Sequence, residues 1–504
     1  MEIKLKNGAI DCVSPILSTS VTQEETCEIP VPDNMPDILR TVYTDAVVTV
    51  KSKDADTGRA AVSGSIAVSV LYCPEGVDGV RTLTAEMPFV CTVSDSRVTH
   101  DTYICAKSRA FFSDASFVTS KKLVARVSLS TDIVCFNRSQ ISAGTEFDGD
   151  DADDIQMLTT KEQVMIPVNC AEKSMVLSDE HEIGFDTQAQ VDILCCNVSA
   201  EALEQKLVGN KLVLRARADY SALLRVGEEV EKTEYSKEFS QIIELDGAQE
   251  DDSFQVWLMP SGTYFHIAQG DSTGRGRIIS EIQLISQCVQ SRCAEIEYTR
   301  DAYMIGGEIS LNIEKYDLCR NRNTTSSTEL LTQTVDTPEK VKNIIHARAT
   351  CSNVSAVDGA QRTTVYISAV YTGSDDRIMS LTRRFEVDTT HDFNTTGDTR
   401  LSATAPELYA AAGSSGIELR ASVEFEAVCV ESVQISSVTG GETVERKTGE
   451  GKRRSFIIRR VKPGDSLWQI AKECSGKVDT ITELNSLDKQ PLESGRLLLI
   501  PVAQ

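Results

Sequence analysis

Few residues of this chain have types and spacing suited to chemistry. Gly270-Asp271-Ser272-Thr273-Gly274 has the G-x-S-x-G spacing of a nucleophile elbow, with His266 nearby. An elbow lifts its serine on a sharp strand-to-helix turn, so a helix must follow. The residues that follow, Arg277-Ile278-Ile279-Ser280-Glu281-Ile282, alternate as a strand, so the motif reads as turn residues and no hydrolase is expected. Asp33 and Asp37 are spaced like a carboxylate pair, but no His or Cys stands near them at metal spacing. They read as a turn and a cap. Cys288-x4-Cys293 and Cys195-Cys196 lack the second ligand pair of a zinc site. The five histidines are scattered, and neither phosphate-loop glycine pattern occurs. No catalytic, metal or cofactor residue is expected, and the chain reads as non-enzymatic.

The elements that would position any site are β-rich and repeated. Val62–Tyr72, Leu214–Leu224 and Val365–Tyr371 each alternate a more apolar with a more polar set, as half-buried strands do. About 60 residues beyond each lies a second alternating run ending in cysteine: Leu123–Leu129 up to Cys135, Ile278–Leu284 up to Cys288, and Ile417–Phe425 up to Cys429. Self-similarity at this period indicates three copies of one β module. The expected fold class is mainly β: three tandem, sandwich-like modules at 1–147, 155–298 and 299–435. The acidic stretch Asp148–Asp154 reads as the linker between the first two. A polar, glycine-containing stretch at 436–454 reads as a flexible tether to a small last module at 455–504.

Composition narrows the partners. The chain has 504 residues and a formal net charge of −24. That argues against nucleic acid and anionic lipid, which need a basic surface. The last module differs: residues 451–504 carry ten Lys and Arg against six Asp and Glu. Fifteen cysteines is an odd number in no disulfide framework, so they read as small buried hydrophobes in a reducing compartment. Met1-Glu2-Ile3-Lys4-Leu5-Lys6 opens no apolar signal segment, and no stretch approaches membrane-spanning length. A cytoplasmic location is expected.

Two segments resemble known families. Glu28-Ile29-Pro30-Val31-Pro32-Asp33-Asn34-Met35-Pro36-Asp37-Ile38-Leu39, with Ala46–Val50 and Gly64-Ser65-Ile66, resembles the SPOCS domain of spore-forming bacteria. Its prolines favour an extended start, and Met35–Ile38 reads as the opening of a short helical turn. Ile166-Pro167-Val168 stands where module 2 would keep a remnant.

At the C-terminus, Phe456–Val461 reads as a strand and Lys462-Pro463-Gly464-Asp465 as a turn with Asp465 as cap. Ser466–Lys472 reads as a helix with Leu467, Ile470 and Ala471 on one face. Thr480–Asn485 reads as a second helix and Leu497–Pro501 as a closing strand. This βααβ order closely resembles the LysM domain, with Val461, Gly464-Asp465-Ser466-Leu467, Ile470-Ala471, Asn485 and Ile500-Pro501 in the pattern. The resemblance implies binding to N-acetylglucosamine chains, as in peptidoglycan. The implied groove places Gly464, Asp465, Ser466 and Leu467 opposite Asn485, Ser486, Leu487 and Pro491. Arg459 stands where an opening aromatic is usual, and Cys474-Ser475-Gly476-Lys477 replaces a tyrosine-containing link.

SPOCS-type modules upstream of one LysM module resemble SipL-like spore-coat morphogenetic proteins. That implies a scaffold in the mother-cell cytosol, at the forespore surface, with a coat-assembling ATPase as partner. Trp468 lies one position off the apolar helix face and is expected to be partly exposed, as a core residue or an interface anchor. The docking set expected from the residues is Phe456, Ile457, Leu467 and Trp468. Peptidoglycan or N-acetylglucosamine oligomers are the other partner class.

Overall fold

The computed structural model describes residues 2–6, 8–148, 154–186, 191–268, 275–357, 360–389, 391, 393, 398–445, 456–487 and 492–501. About 80% of the chain is strand, and both helices among the described residues lie in the last module. The fold is mainly β, with three sandwiches followed by a βααβ unit.

Each sandwich has the same six principal strands. In module 1 they are Ala9–Pro30, Ile38–Asp56, Arg59–Pro74, Arg81–Ser94, Tyr103–Thr119 and Lys122–Ser142. In module 2 they are Ile155–Asp186, Val191–Val208, Lys211–Val226, Glu229–Glu244, Ser253–Ala268 and Arg275–Met304. In module 3 they are Gly307–Asp336, Val341–Cys351, Ala360–Gly373, Ile378–Thr389, Asp398–Ala412 and Gly416–Glu445. Strands two, three and four form one antiparallel sheet, and one, six and five the other. The runs that revealed the repeat are strands three and six, the central strand of each sheet. Central strands are paired on both sides, so their inward residues are dry: Val62, Ile66 and Val70 of module 1 are fully buried, as are Leu123, Ala125, Val127 and Leu129 facing them.

Two boundaries differ from expectation. Module 2 does not stop at 298: its last strand pairs with its first as far as Met304↔Ile155. The chain then turns at Ile305-Gly306, where Gly306 has a φ of 75° that a side chain would strain. A two-residue turn leaves no composition shift to read. The tether expected from 436 is strand as far as Glu445, paired with Gly307–Ile313 and with Lys4, Ile3 and Glu2. Ser437, Val438 and Thr443 are buried there. Gly440 and Gly441 looked like linker residues. Yet a Cβ on Gly441 would lie 2.5 Å from the Ser310 carbonyl oxygen, so this glycine marks close backbone approach. The rest of that stretch lies outside the described residues, as do Gly149–Asp153 of the acidic linker. At the proline segment, Met35 N–H donates to Pro32 C=O in a turn with no helical residues, and Ile38 starts the next strand.

The sandwiches meet around a common axis. In each module strand two carries a bulge at the same place, opposite strand three: Val42, Leu194 and Ile345 are the extra residues. A bulge re-aims its strand. Here it turns Val42–Tyr43, Leu194–Cys195 and Ile345 into one shared apolar cluster with Leu71, Leu223 and Val370, and the His346 ring meets Tyr43 edge-on at 5.3 Å. Two residues further on, Asp45, Asn197 and Arg348 occupy equivalent positions, opposite Ser69, Ser221 and Ser368. Asp45 accepts from Arg348 at 2.6 Å and from the Asn197 amide at 3.3 Å. A second shared cluster joins the other sheets through Cys12 and Ile141, Val164 and Ile296, and Ile435.

Candidate functional site

The C-terminal module is built on the strands Phe456–Arg460 and Leu497–Pro501, with helices α1 (Leu467–Cys474) and α2 (Val478–Leu484) between them. The cap of α1 is Ser466 and not Asp465. Ser466 Oγ accepts from Gln469 N–H, and Gln469 Oε1 accepts from Ser466 N–H, both at 3.2 Å, which makes a reciprocal capping box. Asp465 instead closes the turn before it, accepting from Lys462 N–H at 2.9 Å. Gly464 sits in that turn at a φ of 86°. Ile470, Ala471, Ile481, Leu498 and Ile500 form the core.

On the implied groove, Leu467 and Leu487 pack against this same core from the two sides. Asn485 is spent internally. Its amide donates to Ile481 and Leu499 carbonyls at 2.8 and 2.7 Å, and its oxygen accepts from Leu499 N–H at 2.7 Å. It ties the end of α2 to the closing strand. Asn485→Ala is expected to destabilise this module by about 2 kcal/mol, because the half-buried N–H and C=O of Leu499 both lose their partner. A melt resolving this module checks it, and an unchanged transition would show the three bonds to be dispensable. Ser486 takes a positive φ of 45° in the turn after α2. Pro491 lies outside the described residues.

The four expected docking residues do not share a surface. Along Phe456–Arg460 exposure alternates, so Phe456 and Ile458 face out while Ile457 packs on the core. Leu467 is half-buried against that core. Trp468 is half-buried, and its exposed side is limited by module 2. Its ring meets Tyr303 edge-on at 4.9 Å, and its indole N–H donates to Asp301 at 2.8 Å. Lys472 pairs with Asp301 at 2.6 Å, and Tyr303 O–H donates to Gly476 C=O at 2.6 Å. Tyr303 and Ile305 are buried within the core cluster of this module. The sequence showed that Trp468 was off the helix face, but Asp301 and Tyr303 lie about 170 residues away, which no local pattern reports.

What stays outward is an apolar face on the two-stranded sheet: Phe456, Ile458 and Leu497 are 53%, 71% and 63% exposed. Arg460 lies opposite Leu497 on it.

The other sequence candidates are placed apart. The G-x-S-x-G segment lies outside the described residues, and the chain beyond it is strand from Arg275. Asp37 pairs with Lys121 at 2.6 Å and accepts from Ser120 Oγ at 2.7 Å. The hydrogen bonds from Lys121 and then Ser120 hold its carboxyl below the usual range. Asp33 is exposed in the turn. Cys288 is buried and Cys293 exposed; Cys195 is buried at the axis. Burial pushes the thiols of Cys135 and Cys351 up to about 11, which keeps them as inert neutral groups. Among the described residues no group of three or more His, Cys, Asp or Glu could hold a metal ion, and no helix is long and apolar enough to cross a membrane.

Residues 460–501 match the LysM domain family. That match supports a peptidoglycan- or N-acetylglucosamine-binding fold for this segment. No similar chain is found among curated proteins or among solved structures.

Proposed function

We propose that this chain is a non-enzymatic assembly scaffold of the spore-coat type. Its three sandwiches form the frame, of which the first resembles the SPOCS domain. Its LysM domain recruits a coat-assembling ATPase to the forespore from the mother-cell cytosol. The observation that carries the reading is the outward sheet face of the LysM domain. Phe456, Ile458 and Leu497 leave a contiguous apolar strip in water on a basic module, and such strips favour protein partners.

The second reading is binding of peptidoglycan or N-acetylglucosamine oligomers, favoured by the LysM match and by Leu467 and Leu487 flanking the groove. Both readings are separated with the full chain and a Phe456→Ser, Ile458→Ser double variant. Each is tested for capture of the purified coat ATPase and for co-sedimentation with peptidoglycan. The scaffold reading expects ATPase capture that weakens at least about tenfold in the double variant, the loss of roughly 1.4 kcal/mol or more at an apolar anchor. Co-sedimentation with peptidoglycan that survives the double variant, with no ATPase captured, would replace the scaffold reading with the glycan one.

A further inference from the structure

The near-threefold arrangement supplies an internal comparison. At each junction the fifth strand of one module, bulged midway, lies against strands two and three of the next. Where module 1 meets module 3, the bulge residue Phe111 and its neighbour Phe112 pack on Tyr366 at ring distances of 6.0 and 4.9 Å. Only about 30 Å³ is left there. Where module 2 meets module 1, the fifth strand inserts Met259, which is 1% exposed within the module 1 core.

Where module 3 meets module 2 nothing is inserted. The bulge falls at Ala405–Pro406, between Thr404 and Glu407. The strand-three position equivalent to Tyr366 is Asp219, facing Ser199 as Tyr366 faces Thr350. Two aromatic plugs are thereby exchanged for a proline and a carboxylate. The result is a cavity of about 480 Å³, within the size range of small-molecule sites.

Its lining is part apolar, and polar side chains reach it from both modules: Asn197, Asp219, Ser236, Glu234, Arg348 and His346. His346 is 8% exposed, and its Nδ1 has no hydrogen-bond partner in the protein. A buried ring nitrogen without a partner is costly unless something supplies one. The charges, by contrast, are already neutralised within the chain. Asp45 pairs with Arg348 at 2.6 Å, Asp219 with Arg217 at 3.0 Å, and Glu234 with Lys232 at 2.7 Å. The flat aromatic surface is also taken: Tyr235 is stacked between Tyr220 and His181 at 4.5 and 4.1 Å. A ligand here gains little from net charge or from stacking. It gains from hydroxyls that donate to Asp219, to Glu234 and to Ser236 Oγ, whose own proton goes to Asp219 at 2.6 Å, and that accept from Asn197 and Arg348.

We infer that the junction of modules 2 and 3 is a binding site for a neutral, hydroxyl-rich small molecule of mono- to disaccharide size. The chain's own filled junctions define the test. Pro406→Phe and Asp219→Tyr copy the module 1/module 3 plug into the open site, and neither residue touches the LysM domain. Calorimetric titration of the full chain uses glucose, N-acetylglucosamine, cellobiose and myo-inositol, with putrescine and citrate as charged probes. At least one neutral probe is expected to bind, and its Kd to rise at least about tenfold in each filled variant while the melting temperature holds. Should the filled variants unfold, Asp219→Asn keeps the shape and removes an ionised acceptor, and the same weakening is expected. The inference is overturned if no neutral probe binds. Binding that survives in the filled variants, or putrescine or citrate binding at this junction instead, overturns it as well.

Discussion

Replacing Tyr303 by alanine is expected to release the LysM domain from module 2 while leaving both folded. Tyr303 is 4% exposed, although it belongs to a strand of module 2 that ends one residue later. Its burial comes from the LysM core, from the edge-on Trp468 ring and from the hydrogen bond to Gly476 C=O. Truncating a buried aromatic costs roughly 3–5 kcal/mol where the site cannot collapse. The low end of that range already weakens docking by a factor of about 150. Tyr303→Phe keeps the ring and loses one hydrogen bond, so about 1 kcal/mol is expected. The two tryptophans of the chain are Trp257 and Trp468, so a Trp257→Phe background isolates the reporter. Emission from Trp468 should shift to the red in Tyr303→Ala, and amide exchange should rise across α1. Unchanged emission and unchanged exchange would mean that the two units are not held by this contact. Docking also changes how the LysM domain can act. Its α1 side is committed within the chain, and the Phe456–Ile458 face is what it presents.

How much of this was legible in sequence follows from the range over which each feature is encoded. The βααβ unit was read nearly element by element, because Gly464, the helix face of Ile470 and Ala471, and the stop at Pro501 are local signals. Strands three and six were legible because double pairing imposes strict alternation. The edge strands alternate less cleanly, and of these the Ala46–Val50 run of module 1 was legible as strand. The common axis was invisible for a different reason. Asp45, Asn197 and Arg348 are equivalent in space, but one is an acid, one an amide and one a base, so self-comparison sees three mismatches where the structure sees a complementary set. The open junction was hidden in the same way, since Pro406 reads as a strand breaker until it is set against Phe111. The Asp301–Trp468 contact joins segments with no shared pattern, so Trp468 could be called partly exposed but not assigned a neighbour.

Acidification is expected to weaken the axis, and His346 is the group responsible. Burial is the main force lowering its pKa, to about 4, with Lys232 and Arg348 adding repulsion while Asp45 and Glu234 oppose it. In the unfolded chain the imidazole returns to about 6.5. Above that value both states are neutral and the full stability is present. As pH falls from 6.5 toward 4 the unfolded chain takes up a proton that the folded one refuses, so stability is lost across that window. The gap corresponds to about 3 kcal/mol by pH 4, most of it already gone at pH 4.5. Urea midpoints of wild type and His346→Leu at pH 7.5 and 4.5 isolate this from the carboxylates, whose titration is common to both. The variant should lose distinctly less on acidification; an equal loss would remove His346 as the cause. The neighbours at the equivalent positions argue the same physics. Burial raises Tyr43 and Cys195 well above their ordinary values, and it lowers His346. All three shifts favour the uncharged form. The innermost layer of the axis therefore excludes charge. The ionised groups two residues away, Asp45 and Arg348, are tolerated because they neutralise each other across the junction of two modules.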